Sequence, residues 1–181
     1  MKYKELEKNL YKYDENGRCI IDVVINDEDS IMSPFSGCYP TVSGEFSEFI
    51  ESRITRHHIK HQATINIISD EIDDEEKKLY SQAIKNNYFE KYIDCRKEMI
   101  RDFIISGIML LIGAVVLTVA LIMDSLNRNL LLLEIYDIVA WVFIWEAVDV
   151  VFFKRTLTNL HRKKYYCLMN ANITFQSKTN K

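Results

Sequence analysis

The sequence predicts an α+β cytosolic domain with a small mixed sheet, plus a two-helix transmembrane hairpin continuous with cytosolic stalk helices. Three observations predict this class. Residues 103–123, FIISGIMLLIGAVVLTVALIM, carry no charge. A second apolar run, 130–153, follows after a short break at 124–129. Outside these runs, β-branched stretches alternate with segments whose apolar residues recur at helical spacing.

The cytosolic domain is expected over 1–72. CIIDVVI, 19–25, is β-branched and follows the turn signal Asn16-Gly17, so it reads as a strand hairpinned with NLYKYD. MSPFSGCYP, punctuated by Pro34, Gly37 and Pro40, reads as loop. Ser43 is an N-cap for a helix placing Phe46, Phe49, Ile50 and Ile54 on one face. HQATINIIS, 61–69, alternates Ala63, Ile65 and Ile67 with Thr64 and Asn66 and reads as a second strand.

Asp73 caps the next helix, whose first turn holds Asp74, Glu75 and Glu76, favourable charges at a helix N-terminus. Leu79, Tyr80, Ala83, Ile84, Tyr88, Tyr92 and Cys95 then recur at three- and four-residue steps. With no Pro or Gly before Ser106, a stalk helix over 73–102 should run directly into transmembrane helix 1, 103–123. A helix of that length spans ~30 Å, the thickness of a bilayer core. Residues 124–129 form an external turn and 130–153 transmembrane helix 2. Residues 154–176 supply a cytosolic helix and a strand, ANITFQ, that completes the sheet; 177–181 is a disordered tail.

Cations set the orientation. Lys85, Lys91, Arg96, Lys97 and Arg101 precede the first span, and Lys154, Arg155, Arg162, Lys163 and Lys164 follow the second. Only Arg128 lies in the turn, so both termini are expected in the cytosol of a cytoplasmic membrane. Cys19, Cys38, Cys95 and Cys167 form no CxxC pair, in keeping with a reducing compartment and no disulfide framework. Residues 1–102 hold 15 Lys/Arg and 21 Asp/Glu, whereas 154–181 hold seven Lys/Arg and no acid. The basic tail either docks on the acidic domain or sits against anionic headgroups, at ~1 kcal/mol per cation.

Glu134, Asp137, Trp141, Trp145, Glu146 and Asp149 fall within about half the circumference of the second span. An ionised carboxylate facing lipid costs at least ~2.5 kcal/mol, so this polar, aromatic face should meet water, protein or a partner charge. The first span offers only Ser106 and Thr118 as weak partners. Ser106, Gly113 and Ala120 recur every seven residues, a small-residue stripe of the kind that lets membrane helices approach closely. A hairpin cannot hide a polar face from lipid on all sides, so a homo-oligomer or a membrane partner protein is expected.

RITRHHIKH gathers Arg53, Arg56, His57, His58, Lys60 and His61. His57 and His61 have the i, i+4 spacing of zinc ligands, but no further ligand follows at motif spacing, and no metal is expected. The cluster, with Arg155, Arg162, Lys163 and Lys164, is a candidate site for an anionic ligand or lipid headgroup. Its bland alternative is a solvated basic helix end. The acidic run SDEIDDEE is explained by helix-start electrostatics and lacks the spaced donors of a calcium loop. No phosphate-binding loop, nucleophile elbow or zinc-protease motif occurs, so neither a catalytic residue nor a cofactor is expected, and nucleic acid is not an expected partner.

The string WVFIWEAVD resembles one found in uncharacterised two-span bacterial membrane proteins with a cytosolic domain; the resemblance covers mainly the second span and implies no activity. Three functional readings follow from the whole. The first is an effector or signalling module, in which the cytosolic domain binds a ligand or partner and is coupled to an oligomeric hairpin. The second is an assembly or anchoring subunit of a larger membrane complex. The third is a cation channel or transporter component using the Glu146/Asp149 face.

Overall fold

The computed structural model describes residues 12–14, 17–25, 31–54, 62–69, 72–126 and 130–178. Among these, a four-stranded mixed sheet and four α-helices are formed, and the chain divides into two compact units, Met1–Ile93 with Arg162–Lys181, and Asp94–His161.

In the first unit the sheet order is β1 (Lys12–Tyr13), β2 (Cys19–Val24), β3 (Thr64–Ile68) and β4 (Asn172–Gln176). β1 and β2 are antiparallel, turned through Gly17 at φ 73, a conformation glycine adopts without strain. β2, β3 and β4 are parallel, with Ile21 beside Ile65 and Ile65 beside Ile173. β4, the last strand of the chain, thus completes a sheet begun near its start.

Period-two alternation sends Cys19, Ile21, Val23, Ile65 and Ile67 to one face. There they meet Phe46 and Ile50 of α1 (Gly44–Arg53), Tyr80, Ile84 and Tyr88 of α2 (Asp74–Ser125), and Cys167 and Leu168 of α4 (Arg155–Met169). Both cysteines behave as small core residues: burial pushes the Cys19 thiol up to about 11 and raises that of Cys167. Ser43 caps α1, its hydroxyl accepting from Phe46 N–H. At the start of α2, Asp73 Oδ1 accepts from Asp74 N–H while Glu76 accepts from Asp73 N–H.

Two residues depart from the sequence reading. Phe49, assigned to the inner face of α1, is exposed with Arg53 stacked over its ring at 5.0 Å; Ser47 is buried instead. Asn66, assigned outward, is only 6% exposed. Parallel register sets it between Asp22 and Thr174, where its amide donates to Asp22 (2.9 Å) and Gln176 (3.1 Å) and accepts from the Thr174 hydroxyl (3.1 Å). A satisfied polar group can be buried at little cost.

In the second unit, α2 continues to Ser125 and α3 (Leu130–Asp149) runs back along it. Five residues of π-helix, Val150–Lys154, separate α3 from α4 where a regular helix was expected. Among the described residues α2 is the helix long and apolar enough to cross a membrane. α3 has spanning length, but its four carboxylates leave it short of that standard; the predicted pair of spans is matched in one helix only. Of the predicted external turn, 127–129 including Arg128 lies outside the described residues, as do Asn16, the 9–11 part of NLYKYD and the 179–181 end of the tail.

Candidate functional site

α2 and α3 meet along a seam of small residues. Ser106, Gly113 and Ala120 on α2 are buried, as are Ala140 and Ala147 on α3. A Cβ placed on Gly113 would stand 3.0 Å from Ile144 Cγ1 and 3.3 Å from Ala140 O, tighter than most Cβ contacts, so a side chain here would push Ile144 aside by a few tenths of an ångström. One step along the seam, Ser106 Oγ donates to Ala147 O at 3.0 Å. Small residues bring the two backbones close enough for dispersion contacts and a side-chain-to-backbone hydrogen bond between the helices.

The seam fixes which way α3 presents its remaining side chains. At 100° per residue, Ala140, Phe143, Ile144, Ala147 and Val150 lie roughly opposite Glu134, Trp141, Trp145 and Asp149, with Asp137 and Glu146 at the two edges of the polar sector. All six polar and aromatic residues are exposed. Among the described residues none of the four carboxylates has a cation within 4.0 Å. The first helix's hydroxyls do not serve them: Ser106 is committed to Ala147 O, and Thr118 donates to Ala114 O on its own helix at 2.7 Å. Glu146 and Asp149 are therefore turned away from α2, and whatever neutralises or wets them comes from outside this pair of helices.

Of the candidate basic residues, Arg53, Arg155, Arg162, Lys163 and Lys164 are described. Arg53 stacks on Phe49, while Arg56, His57, His58, Lys60 and His61 lie outside the described residues. Arg155 lines a small crevice with Asp102, Phe103 and Val150 beside the π-helical turn. Lys163 is exposed, and Arg162 and Lys164 are partly buried.

Lys164 belongs to a cluster that the sequence concealed. Lys91 Nζ on α2 lies 2.6 Å from Glu51 Oε1 and 2.8 Å from Ser47 Oγ on α1. Tyr165 of α4 donates to the other Glu51 oxygen at 3.4 Å, Asn87 donates to Ser47 Oγ at 3.1 Å, and Tyr88 donates to Ser47 O at 3.4 Å. Desolvation lowers the Lys164 pKa, Glu51 opposes this, and Lys91 adds to it. Desolvation also raises that of Tyr88, well above the ordinary tyrosine range. One carboxylate thus ties together three helices. The only sequence signal was Lys91 falling beside the apolar positions Tyr88 and Tyr92; its partners lie 40 residues or more away in the chain.

Comparisons with protein families, curated proteins and solved structures found no match. Function therefore rests on the geometry above.

Proposed function

We propose that this chain is a two-pass membrane protein. In this reading a cytosolic α+β unit receives a ligand or partner and is coupled through α2 and α4 to a hairpin, α2–α3, that assembles with further copies of itself. The observation that carries it is the direction of the seam. The hairpin closes on its small residues and leaves large apolar side chains of both helices outside, with Leu111 and Leu121 at 65% and 64% exposure and Ile138 at 64%. A core helix of a water-soluble domain would bury such residues; lipid accommodates them.

The four carboxylates of α3 argue for company in the membrane. Their face lies opposite the seam, so contact between copies would remove it from lipid, with Trp141 and Trp145 filling the junction. A wet interior lined by Glu146 and Asp149 is the variant of this reading in which cations pass. The anchoring alternative differs only in who supplies the covering surface, a second protein in place of a second copy.

Topology is the first test. Reporter domains fused before Met1 and after Lys181 are expected to report cytosol, and one inserted at 127–129 the opposite side. An external C-terminus would mean that α3 does not cross, and the reading would fall.

A further inference from the structure

α2 bears two adjacent rows of side chains at four-residue steps, Lys77–Ser81–Lys85–Phe89 and Lys78–Gln82–Asn86. They form one wall of two adjoining hollows, of about 500 and 430 Å³, that share Lys85 and Asn86. Phe175 of β4 also lines one, and Met169, Asn170 and Ala171 line the other; both are shallow and open to solvent. All these residues belong to the first unit.

The lining contains three lysines and no carboxylate. Along the helix the rows are flanked by carboxylates, Asp73 and Asp74 one turn before and Glu90 one turn after, and Asp74 acts electrostatically on Lys78 as well as on Lys77; the lining itself holds none. Several donors are already committed: Ser81 to Lys77 O, Asn86 to Pro40 O, and Asn170 to Tyr166 O, while Lys77 pairs with Asp74 at 2.7 Å. Lys78 and Lys85 have no carboxylate within 4.0 Å among the described residues. Two turns of helix separate them, about 10 Å, which long ammonium arms can close upon one polyphosphate. Gln82 adds a neutral donor, and Phe175 and Phe89 offer aromatic surface to a ring.

We infer that this groove binds a small ligand joining phosphate groups to a planar ring, the chemistry of a nucleotide, with Lys78 and Lys85 on the phosphates and Phe175 against the ring. This deepens the proposal that the first unit receives a ligand and rests on that part of it, not on membrane crossing.

The test uses the full chain in nanodiscs of neutral lipid, with ATP and pyrophosphate as probes in equilibrium binding. Saturable ATP binding is expected, weakened about tenfold or more in the variant carrying Lys78→Gln and Lys85→Gln, which removes both ammonium contacts with the phosphates. Phe175→Leu should weaken ATP while sparing pyrophosphate, and unliganded thermal midpoints should match wild type in the lysine variant. No saturable binding of either probe, or equal binding by wild type and the lysine variant, overturns the proposal. Equal affinity for ATP and pyrophosphate overturns the ring contact. A second arm uses nanodiscs rich in anionic phospholipid: persistent ATP binding supports a soluble ligand, whereas its loss makes a headgroup the occupant and overturns the nucleotide assignment. The oligomeric mass of the same sample reads out the membrane proposal separately.

Discussion

Glu51 is the residue on which the first unit's helices converge. Its two oxygens take Lys91 at 2.6 Å and the Tyr165 hydroxyl at 3.4 Å, with its side chain 18% exposed. Lys164 is held at a lowered pKa by burial, a state that Glu51 relieves. Removing the carboxylate leaves two lysines facing each other with less solvent than they need. Glu51→Gln should therefore cost about 1–3 kcal/mol, more than an exposed ion pair, because the partners stay partly buried. Chemical denaturation of the detergent-solubilised chain measures it. Lys164→Met in the same background should recover part of the loss by removing one of the stranded charges; additive losses would mean that Lys164 does not share the cluster.

At the scale of elements, small residues at seven-residue spacing marked α2 as having a packing stripe, but left open whether the second apolar segment or another chain would fill it. Ser106, Gly113 and Ala120 could be named from the sequence, while Ala140 and Ala147, spaced the same way on α3, were hidden by the acids and tryptophans around them. Gly113 is the position with least room, its Cβ site 3.0 Å from Ile144. Gly113→Leu should separate the helices and lower the SDS concentration at which the hairpin unfolds, whereas Gly107→Leu, where nothing lies within 4 Å, should be tolerated. Equal tolerance at both positions would argue that the two helices do not pack as described. The π-helical turn at Val150–Lys154 had no counterpart in the sequence reading, since VVFFK contains neither Pro nor Gly to mark a departure from regular helix.

For the whole molecule, the question is what covers the face of α3 that points away from α2. A mass measurement in nanodiscs should find more than one copy per assembly. Glu146→Gln should insert normally, because a neutral amide is no harder to bury than a protonated acid, and its effect should appear either in assembly or in conductance. If the face lines a wet path, conductance in bilayers falls while the oligomer persists; if Glu146 makes a structural contact between copies, the assembly itself dissociates. A strict monomer with no bound partner would remove both outcomes and the oligomeric reading with them.

The sequence alone determined what depends on local pattern. Alternating Ala63, Ile65 and Ile67, the Ser43 and Asp73 caps, the unbroken run from Asp73 into the apolar segment and the small-residue stripe are each written in neighbouring residues. Tertiary structure decided what depends on residues far apart in the chain. It paired β4 with β3, buried Asn66 by giving it Asp22, Thr174 and Gln176, and brought Glu51 to Lys91 and Tyr165. It also decided that the acidic face of α3 points away from α2, because periodicity groups side chains on a face but only the packing of a second helix says which face is left outside.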